Sequence, residues 1–330
     1  MLIAVNYHYI RSSFDYPHDG IHGITPRQFE TQLETLAAAG TYVDSSAVRA
    51  AVRGERPLSE KSLLVTFDDG FREHYETAWP ILNRLGIPAI FYVNTQPSVE
   101  GVVSRVHKIH LLRAHVAPRD FVEILTARSA KRGIPLVLDD RFQAEVAVQY
   151  RYDAPEVAKL KYLLNLGLDP SLRDSLLDEI FAEVFPGAER QMSDELYMTR
   201  EQMKDLAEAG AIGNHSHEHL PLGLIPPAAA REQLRKAADC LEAWTGHRPF
   251  TFSYPYGSRA ATSSAVGQIA AASGYDFGFT MERAANRDFS EPVHLARFDT
   301  NDVPGGKSAR FTVDDLFAKA PSRSWYGQAA

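Results

Sequence analysis

LLVTFDDG, residues 63–70, is a short run of branched and aromatic residues that ends in two adjacent carboxylates and a glycine. Such a run, bounded by turn residues, is what a strand buried on both faces of a parallel sheet looks like. Six other stretches share this character, at 2–7, 89–93, 211–213, 250–253, 277–280 and 293–298. Segments of helical period stand between them, so the spacing predicts successive βα units and close to a barrel's worth of parallel strands. Thr25 and Pro26 read as the cap and first residue of a helix whose apolar face is Phe29, Leu33 and Leu36, with Gly40 following. Thr199-Arg200-Glu201-Gln202 has the form of a capping box, opening a helix that ends near Gly210. Residues 227–245 make a further amphipathic helix, closed by Gly246.

The alternation stops between about 101 and 198. Helical patterns such as VAKLKYLLNL and RDSLLDEIFAEVF dominate there, and no βα unit repeats. The expected organisation is one domain over residues 1–330, a barrel interrupted by a mainly helical insertion, with a loosely attached tail after about Pro321. The first part of the insertion is basic. Arg105, Lys108, Arg113, Arg119, Arg128, Lys131 and Arg132 face only Asp120 and Glu123 in sequence, a local balance of 7 − 2 = +5 in a chain of net charge −7. That segment is expected to offer arginine forks to phosphate groups of a substrate, with a solvated helix face as the plain alternative.

Composition narrows the function. A net charge of −7 provides no global basic field for a nucleic-acid partner. The single cysteine, Cys240, excludes an intrachain disulfide framework and a cysteine-based zinc cluster, and it is expected as a small apolar side chain within its helix. MLIAVNYHYIRSS at the N-terminus lacks the features of a signal peptide, and no run reaches the roughly 18 apolar residues of a membrane span, so a cytoplasmic location is expected.

In a βα barrel the reactive groups stand at the carboxyl ends of the strands, where the loops converge. Tyr7-His8, Asp68-Asp69, His215, Tyr254-Pro255-Tyr256 and Arg297 all fall at or near such ends. Successive side chains in TFDDG point different ways, so one aspartate is free to bind a metal while the other serves as a general base. His215 and His219 in GNHSHEHLPL are four apart, and a helical turn would aim both imidazoles at one cation. A zinc-protease HExxH motif fails because Pro221 stands where the second histidine is needed. PGGKS at 304–308 lacks the first glycine of a P-loop, and no Gly-x-Ser-x-Gly elbow occurs.

TFDDG, the His-Ser-x-x-His of HSHEH, and SYPYG resemble the first three motifs of the polysaccharide deacetylase family, also called the NodB-homology or carbohydrate esterase 4 group. The resemblance spans roughly residues 1–100 and 199–300. It implies a distorted (β/α)7 TIM-like barrel and hydrolysis of N-acyl groups, acetyl or formyl, from an amino sugar or sugar-containing precursor by metal-activated water. The enzyme class implied is a hydrolase of carbon–nitrogen bonds other than peptide bonds. By the same resemblance Asp69, His215 and His219 are the metal ligands, Asp68 is the base, and Tyr256 lends its backbone N–H to the oxyanion. The expected cofactor is a divalent metal, zinc first, with cobalt, nickel or iron as alternatives. Nucleotide- or lipid-linked sugars are the expected substrates.

Two positions depart from the family pattern. Ser253 stands where an arginine usually orients the base, and Leu295-Ala296-Arg297 stands where Leu-x-His usually supplies the acid. An arginine does not release its proton near neutrality. Arg297 is therefore expected to pair with Asp68, leaving His8, His217 or His294 as candidates for the acid. O-acetyl ester hydrolysis at the same site and a non-catalytic sugar-binding barrel are the rival readings.

Overall fold

The computed structural model describes residues 1–136, 138–149 and 154–326. Seven parallel strands carry the fold: β1 (Leu2–Tyr7), β2 (Ser62–Phe67), β3 (Ala89–Val93), β4 (Ile212–Asn214), β5 (Thr251–Ser253), β6 (Phe277–Phe279) and β7 (Phe298–Asp299). They line up in the order β7-β1-β2-β3-β4-β5-β6, with the two-residue strand Thr41–Tyr42 pairing beside β2. The two ends approach each other through a parallel bridge between Phe279 and Leu295, three residues before β7. The result is a curled sheet with helices in its crossovers, a distorted (β/α)7 barrel.

Every residue of β1, β2 and β3 is buried, because one face packs on helices and the other fills the barrel. The two-residue period sorts them. Ile3, Val5, Leu63, Val65 and Phe67 pack with Phe29, Leu33 and Leu36 of the helix Pro26–Ala37. Leu2, Ala4, Leu64, Ile90, Tyr92, Phe277 and Phe279 pack with one another as a second cluster. Asn6 and Thr66 continue that second face, and it is there that polar groups enter an otherwise apolar interior. Thr25 and Gln28 exchange capping hydrogen bonds, as do Thr199 and Gln202 ahead of the helix Arg200–Glu208. The helix Pro227–Thr245 ends where Gly246 turns to φ 78°.

The last expected strand, 293–298, differs. Pro292–His294 is a turn of 3-10 helix, and pairing with β1 begins only at Phe298. Pro292 opens that turn, its fixed φ being already suited to a helical first residue, so Val293 and His294 follow it into the turn and not into a strand.

Two compact units divide the chain. One comprises Met1–Ser13, Gly23–Val102 and the chain from Ser193 onward, and holds the barrel. The other comprises Phe14–His22 and Val103–Met192, so its N-terminal contribution lies far in sequence from the stretch of 101–198 read as the insertion. This second unit is helical, with Arg105–His115, Pro118–Lys131 and Pro170–Val184 among its helices. Five of the seven basic residues of 105–132 are paired with carboxylates. Arg105 pairs with Asp174 at 2.7 Å, Lys108 with Asp178 at 2.7 Å and Glu189 at 2.9 Å, and Arg119 with Glu123 at 3.0 Å. Arg128 pairs with Glu179 and Glu183, and Arg132 also reaches Glu179. Glu123 apart, the matching carboxylates sit about fifty to eighty residues later, out of view of a local charge count. Among the described residues no helix is long and apolar enough to cross a membrane.

Candidate metal centre

Three donors converge at the carboxyl ends of β2 and β4. Asp69, His215 and His219 are all buried, and one ligand atom from each lies within 4.8 Å of the others. Asp69 Oδ1 is 3.2 Å from His219 Nε2 and 3.5 Å from His215 Nε2. Two ligands about 2.1 Å from a tetrahedral cation stand roughly 3.4 Å apart, so these separations match the edges of such a site. The electrostatics agree. Burial works against a charge on His215, but Asp68 and Asp69 outweigh it and raise that imidazole above its ordinary pKa, the mark of a site that favours positive charge. The donor set of two imidazoles and one carboxylate fits a divalent cation of the zinc type.

The histidine pair is not presented by a helical turn. Residues 215–219 form an irregular loop after β4, and the backbone is left-handed at Ser216 (φ 64°) and His219 (φ 57°). These two bends bring the rings to 4.9 Å, edge to face. Asp69 (φ 80°) and Tyr256 (φ 62°) are left-handed too. Among the described residues these four are the non-glycine positions with positive φ, and all four lie in the motifs at this site. Each costs on the order of 1–2 kcal/mol, a strain that persists where surrounding structure enforces it.

Asp68 points elsewhere. As the step after Phe67 it continues the interior face of Leu64 and Thr66, and there its carboxylate meets four donors. Arg297 donates through Nη1 to Oδ1 at 2.9 Å and through Nη2 to Oδ2 at 2.7 Å. Ser253 Oγ donates to Oδ1 at 2.8 Å, and Asn6 Nδ2 to Oδ2 at 3.0 Å. Burial alone would push this carboxyl up, but Arg297 and His215 hold it well below the usual carboxylate range. Arg297 is wholly buried; its Nη1 also reaches Asn6 and Thr66, and its Nε reaches the Thr280 carbonyl. Asn6 and Thr66 went unnoticed in the sequence, although a polar side chain on the interior face of an apolar strand is a signal available from period 2 alone.

The three histidines considered as acids separate clearly. His217 is buried, its Nδ1 2.8 Å from Thr95 Oγ1 and its Nε2 3.6 Å from Glu100. His294 is buried between the rings of Tyr254 and Tyr326. His8 alone of the three stands at the metal centre, its Nε2 4.0 Å from Asp69 Oδ2 and its side chain 41% exposed. Tyr256 is half exposed, its ring 5.0 Å from that of His219. Cys240 is partly buried, and burial pushes its thiol pKa up, away from nucleophile chemistry.

The sequence model of the polysaccharide deacetylase family matches residues 55–116 and 184–278. A stretch of 49 residues is 41% identical to the poly-β-1,6-N-acetyl-D-glucosamine N-deacetylase of Escherichia coli K12, covering 15% of this chain and 7% of that one. Another of 72 residues is 31% identical to the putative polysaccharide deacetylase YxkH of Bacillus subtilis, covering 21% of this chain and 25% of that one. The matched stretches thus span a quarter or less of these relatives. Among solved structures, the Streptococcus pyogenes deacetylase PplD, determined with acetate, superposes with a TM-score of 0.55 at 16% identity over 90% of this chain and 91% of its own. IcaB from Ammonifex degensii gives 0.53 at 19% identity over 90% of each chain. The match to the polysaccharide deacetylase family model runs through TFDDG, HSHEH and SYPYG, on a barrel whose fold these deacetylase structures share.

Proposed function

We propose that this chain is a metal-dependent hydrolase that removes an N-acyl group from an amino sugar. The observation that carries the reading is the division of labour between neighbours: Asp69 joins His215 and His219 in a three-donor cluster, while Asp68 is held ionised beside it by Arg297. A divalent cation at the cluster would polarise an acyl oxygen and bring a coordinated water toward a pKa of about 7.

The protein's own groups then have separate tasks. Asp68 is the base. Its four donors fill the lone pairs of an ionised carboxylate, so accepting a proton requires one of them to withdraw. The Ser253 hydroxyl hydrogen is the one that can rotate away without moving a heavy atom. Tyr256 is assigned to the oxyanion through its backbone N–H, and its left-handed backbone fits a group held in place for use. His8 is assigned the proton for the departing amine, since it is the candidate that combines exposure with proximity to the cluster. The name of the Escherichia coli relative makes a β-1,6-linked N-acetylglucosamine oligomer a reasonable first substrate.

Ester hydrolysis remains a second reading because Arg297, at the position usually held by the acid, is committed to Asp68. An alcohol leaving group needs less proton assistance than an amine. The test is acetate release from N-acetylglucosamine oligomers and from an O-acetylated sugar, with added zinc or cobalt, alongside elemental analysis. Asp69→Asn and His219→Ala are expected to lose most of the metal and the activity together; full metal retention by both would overturn the site. His8→Gln should slow amide cleavage at least ten-fold more than ester cleavage. Absence of turnover on every acylated sugar, with metal bound, would favour a binding barrel.

A further inference from the structure

Ser253 lies at the carboxyl end of β5, fully buried, and its hydroxyl touches both halves of the site. On one side Oγ is 2.8 Å from Asp68 Oδ1; on the other it is 2.6 Å from His215 Nδ1. The carbonyl oxygen of the same residue is 3.0 Å from that Nδ1. His215 turns its other nitrogen, Nε2, toward Asp69.

We infer that Ser253 is a positioning residue for the metal centre, a hydroxyl bridge that makes the Asp68 carboxylate the outer partner of the ligand His215. The inference rests on the assignment of His215 as a ligand through Nε2. The direction of each hydrogen bond follows. An imidazole that coordinates through Nε2 carries its proton on Nδ1 and needs an acceptor there. Ser253 supplies that acceptor with Oγ and, more distantly, with its carbonyl. The hydroxyl has one hydrogen to give, and Asp68 Oδ1, an ionised acceptor, takes it. The chain therefore runs His215 Nδ1–H to Ser253 Oγ–H to Asp68, which Arg297 anchors at the far end.

Metal-ligating histidines commonly lean on a carboxylate through the second nitrogen, and loss of such a partner costs 10- to 100-fold in metal affinity. Here the carboxylate is relayed through a serine, and it is the same one assigned to proton transfer. A long arginine at position 253 would fill this space and could not accept from Nδ1. A serine can do so because Arg297 already reaches Asp68 from β7's approach.

The experiment is zinc affinity by chelator competition for the wild-type chain, Ser253→Ala, and the pair Ser253→Thr and Ser253→Val, with thermal melting of the metal-free proteins. Threonine and valine share a shape and differ by the hydroxyl, so their ratio is independent of whatever the extra methyl does to folding. The expected result is about a ten-fold loss for Ser253→Ala, and zinc bound about ten-fold tighter by Ser253→Thr than by Ser253→Val, with similar metal-free melting temperatures for that pair. Equal affinities for the pair would overturn the bridge while leaving the centre intact. Failure of the wild-type chain to bind zinc would instead overturn the metal centre itself.

Discussion

Asp68 and Asp69 adjoin in the chain and face different chemistry because the strand's two-residue period ends between them. Asp68 keeps the inward direction of Leu64 and Thr66, whereas Asp69 leaves it through a left-handed backbone, φ 80°, and turns to the histidines. This geometry makes a specific prediction for Asp68→Asn. At saturating zinc, metal content should stay near that of the wild type, with affinity weakened about ten-fold through the Ser253 bridge, while turnover falls by about 10²-fold or more. The same change strands the buried Arg297 guanidinium without its counter-charge, so unfolding free energy in urea should drop by about 3 kcal/mol. Adding Arg297→Met should restore most of that stability and none of the turnover. Failure of the single variant to take up metal even at saturating zinc would mean that the two aspartates have exchanged roles.

At the scale of elements, the helix after β2 opens with a wide turn, His74–Ala78, that follows the metal-site strand by a few residues. His74 is wholly buried against Phe67, Phe71 and Phe91, and its Nε2 holds the His8 carbonyl at 2.8 Å. Burial pushes its pKa down to about 4, against a smaller upward pull from that carbonyl. The consequence for stability has a definite sign. In the unfolded chain the imidazole takes a proton below about pH 6.5, while in the folded chain it stays neutral until about pH 4. This residue's contribution is therefore intact above about 6.5 and declines as pH falls to about 4, by roughly 3 kcal/mol, then levels off. Urea denaturation between pH 4 and 7 should show that decline in the wild type and a flatter profile in His74→Gln. Parallel profiles would remove His74 as the cause.

At the scale of the whole molecule, the helical unit holds the basic segment at 105–132 together with the carboxylates that pair with it. Lys108 is nearly buried between Asp178 and Glu189 and lies 5.3 Å from the Phe181 ring, whereas the partner carboxylates remain partly in water. Solvent screening limits what such a pair is worth, so Lys108→Met should cost only about 1 kcal/mol, less in high salt. Deacetylation of a neutral sugar should proceed at the wild-type rate in that variant. A larger effect with a phosphorylated sugar than with its neutral analogue would restore the phosphate-binding role that these ion pairs otherwise take away.

Features that depend on residues close together in the chain are legible in the sequence alone. The strands at 2–7 and 89–93, the cap at Thr199, the helix stop at Gly246 and the neighbouring carboxylates all follow from period, capping and turn chemistry, which depend on a few adjacent positions. The HSHEH spacing announces the histidine pair, yet its conformation does not follow, because the helical turn that spacing suggests gives way to two left-handed residues enforced by the surrounding barrel. What only the tertiary structure decided lies between residues far apart in the chain: Arg297 and Ser253 on Asp68, and Asp174, Asp178, Glu179 and Glu183 against the basic helices. Charge pairing and hydrogen bonding act over a few ångströms of space, and the number of residues along the chain between two groups carries no information about that distance once the sheet has curled.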